Sequence, residues 1–187
     1  MYGRMSNLQP PAAPEPSRRE VWKMFDRIAP RYDLLNRMLS FRQDVAWRNR
    51  MARYLPPGDQ LLLLDVATGT ADQIFSLIRR EPRIASAVGV DMSEGMLEVG
   101  REKVRQRGLA DRISLRTGDA TTIPEPGGTY HAVTISFGIR NVMDVVQALG
   151  EMRRVLRPGG RVLVLEFSLP AWGPFRAAYL FYLRHIL

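Results

Sequence analysis

Two kinds of hydrophobic pattern alternate along most of this chain. Leu61-Leu-Leu-Leu-Asp65-Val66 is a nearly continuous apolar run, the pattern of a strand covered on both faces. Further strand-like runs lie at 87–90, 113–117, 130–137 and 161–167, the third again of buried character. Between them lie segments with helical spacing, at 72–80, 93–107 and 142–156. Ser93 is placed to cap the second of these helices, with Glu94 in its first turn and Gly108 just past its end. Arg157-Pro-Gly-Gly160 is expected to end the third. Five strands with four intervening helical or loop crossovers predict an α/β fold with a mainly parallel sheet and helices on both faces. No internal repeat is evident.

Upstream, residues 17–54 read as helical: Val21, Met24, Phe25 and Ile28 share one spacing, and Leu34, Leu35, Met38 and Leu39 another. Pro30 separates the two, and Pro56-Pro-Gly-Asp59 marks entry to the first strand. Residues 1–17 hold Pro10, Pro11, Pro14 and Pro16 and few large apolar groups, a flexible tail. The expected organisation is thus a tail at 1–17, a helical cap at 18–55 and a ligand-binding domain at 56–187. The segment 171–187 is apolar and aromatic with helical spacing, and its pattern runs to the last residue. The reading is a domain incomplete at its C-terminal end.

Composition narrows the chemistry. The 187 residues are 45% hydrophobic and 25% charged, which suits one domain with a sizeable core. With no cysteine, a disulfide scaffold, a thiolate metal site and a cysteine nucleophile are excluded. His131 and His185 are far apart in sequence, so no metal centre is expected. The net charge of +8 fits either an anionic partner or an arginine-biased surface. No dense basic run with interleaved aromatics appears, so nucleic acid is not an expected partner. No apolar run reaches the roughly 20 residues of a membrane span, and no secretory signal is visible. A cytoplasmic location follows as the expectation.

The candidate chemistry sits where the strands end. Asp65 leads into Val-Ala-Thr-Gly69-Thr70-Ala-Asp72, a turn of small residues that lets backbone approach a ligand. A dinucleotide fingerprint has three glycines here; this turn has one, which argues weakly for a diphosphate. A cofactor with an amino acid, a nucleoside and positive charge, but no phosphate, suits the flanking acids Asp65 and Asp72 better. S-adenosyl-L-methionine is such a molecule. The plainer alternative is a strand-to-helix turn with Asp72 as helix cap. Asp91, followed by Met92, ends the second strand, where a carboxylate can accept both ribose hydroxyls; otherwise it caps the next helix. Asp119 and Ala120 follow the third strand, an acid for the adenine amine and room for the ring. Ser136 and Arg140 lie beyond the fourth strand, on the edge where ligands bind in such sheets. Arg140 can pair with an anionic oxygen, or be a surface arginine. His131 starts a strand, at the wrong end for a base.

The turn, Asp91, Gly118-Asp-Ala120 and Arg154-Val-Leu-Arg-Pro-Gly-Gly-Arg161 resemble the Rossmann-like S-adenosylmethionine-dependent methyltransferases. Tyr32-Asp-Leu-Leu-Asn, Leu39-Ser, Trp47-Arg48, Ile135-Ser-Phe-Gly-Ile-Arg-Asn141 and Leu165-Glu-Phe-Ser168 narrow this further. Together they resemble the quinone C-methyltransferases of menaquinone and ubiquinone biosynthesis, over about residues 20–187. The resemblance implies cofactor contacts at Thr70, Asp91, Asp119 with Ala120, and Ser136. Asp119 stands where other members carry asparagine, and Ala71 and Thr68 where many carry glycine. It also implies two more strands after the last segment, missing from this chain. The implied acceptor is a prenylated hydroquinone such as demethylmenaquinol, or a benzoquinol, whose ring carbon becomes nucleophilic when the adjacent hydroxyl loses its proton. Arg140 is then the phenolate's partner, and Tyr32 and Asp33 orient or deprotonate the hydroxyl. Met24, Phe25, Ile28, Leu34, Leu35, Met38, Leu39 and Phe41 could cover the acceptor. A prenyl tail calls for access to a membrane, so peripheral contact at its inner face, through 171–187, is open; so is a homodimer. Competing readings are methylation of another small molecule or RNA, and a binding subunit that has lost catalysis.

Overall fold

A computed structural model describes residues 23, 25, 26, 29, 40 and 43–167. The cap residues Tyr32 and Asp33, the tail and the segment 171–187 lie outside the described residues. The elements are α1 (Gln43–Arg50), a 3₁₀ turn (Met51–Tyr54), β1 (Leu61–Val66), α2 (Asp72–Arg80), β2 (Ile84–Asp91), α3 (Glu94–Gln106), β3 (Ile113–Thr117), β4 (Tyr130–Ser136), a second 3₁₀ turn (Ile139–Asn141), α4 (Val145–Val155) and β5 (Leu156–Leu165). The strands form one sheet in the order β3-β2-β1-β4-β5, and every neighbouring pair is parallel.

Alternation along each strand sorts the core into two layers. Leu61 and Leu63 face one way, against Ile74, Leu77, Leu97 and Val104 of α2 and α3. Leu64 and Val66 face the other, with Val133 and Ile135 of β4 and Ala148, Met152 and Val155 of α4. β1 is central and covered on both sides, which is why its sequence is continuously apolar rather than alternating. The helices therefore lie on both faces, as the pattern predicted.

The element ends depart from the sequence expectation in instructive ways. β2 starts at Ile84, not 87, because Ile84 is fully buried opposite Leu61 and Arg112 donates to the Ile84 and Ala85 carbonyls. β4 stops at Ser136, because Phe137 turns to φ 59°. α4 begins at Val145, where the Asp144 side chain accepts the Gln147 amide; the sequence reading missed that cap. β5 starts at Leu156, expected as the last helical residue, and takes in the Arg157–Gly160 stretch expected only to end the helix. Its pairing jumps from Tyr130↔Leu156 to Ala132↔Arg161, so Arg157–Gly160 bulge out of register, with Gly159 at φ 81°.

Candidate functional site

Strand order reverses between β1 and β4, because β2 and β3 lie to one side of β1 and β4 and β5 to the other. The crevice beyond the carboxyl ends of those two strands is where a ligand binds in such a sheet. The turn after β1 forms its floor. Ala67 and Ala71, at φ 51° and 65°, are left-handed without being glycine, a strain that marks a turn held by its surroundings. Gly138 shows how tight the crevice is: a Cβ there would lie 2.6 Å from the Ala67 Cβ.

The turn's amides are largely occupied. Thr68 N donates to the Val90 carbonyl at 3.1 Å, Gly69 N to Asp91 Oδ2 at 2.7 Å, and Ala71 N to the Thr68 carbonyl at 3.0 Å. A pyrophosphate needs such amides bare. The site therefore fits a phosphate-free nucleoside, as the single glycine suggested.

Asp65 sits beneath the turn at 1% exposure. Its Oδ2 accepts the Thr68 hydroxyl at 2.7 Å and its Oδ1 the Thr134 hydroxyl at 2.5 Å. Burial pushes its carboxyl up to about 6; the two hydroxyls and the Arg48 charge work against that rise. Thr134 is a polar residue at the fully buried middle of β4, a signal the sequence reading passed over. Asp91 also holds the entry to α3, since its Oδ1 accepts Ser93 N at 2.9 Å while Ser93 itself caps the helix through Met96 N. A carboxylate oxygen can accept more than one hydrogen bond, so these contacts leave acceptor capacity on Asp91. Burial raises its carboxyl, opposed by the amides of Ser93, Gly69 and Met92. Met92 beside it is half-exposed. Asp26, from the cap segment, accepts the Ser93 hydroxyl and Gly95 N next to Asp91.

Thr70 and Asp72 are joined through Lys103 of α3, whose Nζ reaches both Thr70 Oγ1 and Asp72 Oδ1 at 2.8 Å. This ties the turn to α3. Asp119 Oδ1 accepts both the amide and hydroxyl of Thr121 at 2.8 Å, and Gly118 N donates to the Asp91 carbonyl at 3.0 Å. That arrangement aligns Asp119 with Asp91 along neighbouring strand tips. Ala120 is buried in the second core layer. Ser136 donates to Gln73 Oε1 at 3.0 Å, and Gln73 in turn donates to the Arg48 carbonyl at 3.4 Å. Gln73, 1% exposed in the first turn of α2, was not anticipated.

The far wall is aromatic. The rings of Phe137 and Phe167 stack at 4.6 Å, with Trp47 at 6.3 Å from the first and 5.8 Å from the second. Arg140 pairs with Glu166, and its guanidinium lies 5.6 Å from the Phe167 ring centre. Glu166 lies within a matched motif, but the sequence alone assigned it no role. Among the described residues, no group of three histidine, cysteine, aspartate or glutamate side chains is arranged to hold a metal.

Solved structures agree on the fold. The YcgJ protein from Bacillus subtilis superposes with a TM-score of 0.63 at 21% identity, covering 75% of this chain and 58% of that one. A SAM-dependent methyltransferase from Aquifex aeolicus gives 0.59 at 20% identity, covering 68% of each. These likenesses define the class of fold: a Rossmann-like α/β sheet of the kind found in S-adenosylmethionine-dependent methyltransferases. The ubiE/COQ5 methyltransferase family model matches residues 15–187, and the chain belongs to that family. It is 47% identical over 164 residues to the ubiquinone/menaquinone biosynthesis C-methyltransferase UbiE of Geobacter sulfurreducens, covering 88% of this chain and 64% of that protein. It is 46% identical to the demethylmenaquinone methyltransferase of Thermus thermophilus, covering 88% of this chain and 73% of that one.

Proposed function

We propose that this chain transfers a methyl group from S-adenosyl-L-methionine to a ring carbon of a prenylated hydroquinone, demethylmenaquinol rather than a benzoquinol being the first choice. The observation that carries this reading is the Arg140–Glu166 pair set against the Trp47, Phe137 and Phe167 rings, beside the crevice. Aromatic faces suit a flat quinol ring, and a guanidinium suits an oxygen that becomes anionic. The names of relatives from Geobacter sulfurreducens and Thermus thermophilus support the same acceptor class.

When bound, S-adenosyl-L-methionine supplies an electrophilic methyl on a sulfonium. Asp91 would hold its ribose hydroxyls and Asp119, through Oδ2, its adenine amine; Gly69, Met92, Ala120 and Ser136 would shape the walls. Asp65, Thr70 and Asp72 would act by fixing the turn and setting a negative field for a cationic ligand. Arg140 stabilises the quinol oxygen as its proton leaves, which places electron density on the neighbouring ring carbon. Glu166 aims the guanidinium. Tyr32 and Asp33 would orient the hydroxyl or receive its proton. A prenyl tail requires an apolar path, and peripheral membrane contact would supply it. Among the described residues no helix is long and apolar enough to cross a membrane.

The test is methyl transfer from labelled S-adenosyl-L-methionine to demethylmenaquinol and, separately, to a prenylated benzoquinol. Labelled menaquinol is the expected product. Labelling of the benzoquinol alone would reassign the acceptor, and labelling of neither would overturn the reading.

A further inference from the structure

Arg48 lies in the last turn of α1, beside the crevice at the reversal between β1 and β4. It is 8% exposed, and its Nε is buried without an acceptor among the described residues. Its Cζ lies 5.2 Å from the centre of the Phe137 ring, just past β4. Its backbone carbonyl accepts Gln73 Nε2, which fixes the end of α1 against α2. Its charge is felt at Asp65, at the tip of β1. Among the described residues no carboxylate forms an ion pair with it. Asp44, one turn earlier and also buried, accepts the Ser40 hydroxyl at 2.7 Å instead.

A buried guanidinium N–H without an acceptor is costly, and Arg48 Nε is one, so the group is poised for an acceptor that the described residues do not supply. The planar fork matches a carboxylate, which it can bind with two parallel hydrogen bonds. We propose that Arg48 is the anchor for the α-carboxylate of the methionine portion of S-adenosyl-L-methionine. This rests on the cofactor reading above. The cofactor's amino-acid end is a zwitterion, and the crevice offers a cation in Arg48 and a negative field from Asp65 at the end of β1. Recognition is then divided: Asp91 and Asp119 read the nucleoside, and Arg48 reads the acid. Arg48 also borders a cavity of about 280 Å³ between α1 and α2, lined in part by Asp44, Asp72, Phe75 and Arg107.

Calorimetric titration of the full chain with two ligands tests this. S-adenosylhomocysteine carries the carboxylate; methylthioadenosine shares the nucleoside and thioether but lacks the amino acid. Arg48→Gln should weaken S-adenosylhomocysteine by about 10- to 100-fold, the range for a lost charge-assisted hydrogen bond, and leave methylthioadenosine within about twofold. Arg48→Lys, which keeps the charge and loses the fork, should fall between. Equal weakening of both ligands would show a merely structural role and overturn the assignment, as would unchanged binding of both. A variant that fails to fold shows in its melting curve, and the lysine variant then decides between these outcomes. If the unaltered chain binds neither ligand, the cofactor reading itself falls, and this inference with it.

Discussion

Arg140, in the loop after β4, is paired with Glu166, the first residue beyond β5, and this contact joins two neighbouring strand ends across the mouth of the crevice. The Arg140 backbone amide also approaches Glu166 Oε2, at 3.4 Å. Arg140 is half-exposed and Glu166 largely covered. A guanidinium already facing one carboxylate is oriented before any ligand arrives, and a neighbouring negative charge restrains how far it can favour a second anion.

Two variants separate these effects. Arg140→Met should lower kcat by about 10²- to 10³-fold, the range for losing a group that stabilises developing negative charge. S-adenosylhomocysteine affinity should stay unchanged. Glu166→Gln removes the competing negative charge, so a bound quinol should ionise more readily. The acid limb of the pH–rate profile should move to lower pH by about one unit or more. A limb that moves upward would contradict the assignment of Arg140 to the quinol oxygen.

Asp91 meets the amides of Gly69 and Ser93 with its two oxygens. In Asp91→Asn one of those donors must face an amide nitrogen. An unsatisfied buried donor costs about 1–3 kcal/mol. S-adenosylhomocysteine should bind about 10- to 100-fold more weakly, and methylthioadenosine should weaken equally because both carry the ribose. Parallel calorimetric titrations check this, and a selective loss for one ligand would show that the ribose is held elsewhere.

Asp65 gives the protein a defined acid–base signature. Its carboxyl titrates near 6 when folded, against 3.8 for the ordinary group, chiefly because of burial. The folded state therefore holds this proton more tightly than the unfolded chain. The resulting stabilisation is complete below about pH 4 and is lost as pH rises through about 6. A shift of that size corresponds to about 3 kcal/mol. Asp65→Asn does not titrate. Urea unfolding should show the variant gaining on the natural chain by roughly that amount between about pH 3.5 and 7. A gap independent of pH would refute the assignment.

Two glycines should respond oppositely to alanine. A Cβ at Gly89 of β2 would lie 2.7 Å from Leu115 Cδ2 and 2.8 Å from Thr68 Cγ2. Gly89→Ala should cost about 1–3 kcal/mol through overpacking and disturb the Thr68–Asp65 contact. Gly150 lies in α4, where a methyl group would meet nothing within 4 Å among the described residues. Gly150→Ala should stabilise by about 0.5–1 kcal/mol through helix propensity. Thermal melts of the two variants compare them directly.

The order of elements was legible in the chain because β1 and β4 are buried on both faces and Ser93 carries its own capping chemistry. Local pattern alone therefore placed the acids Asp65, Asp91 and Asp119 at strand ends, and the motifs around Trp47 and Ile135 pointed to the family. Patterns of this kind arise between near neighbours, where strand and helix periods act. The partnerships within the site were decided by tertiary structure. Asp65 meets Thr134, Ser136 meets Gln73, Arg140 meets Glu166 and Arg48 reaches Phe137, in each case across elements brought together only when the parallel sheet forms. A parallel sheet pairs residues tens of positions apart, so its contacts leave no local period to read. The burial that raises Asp65 and isolates Arg48 is likewise a property of the assembled layers, not of any segment.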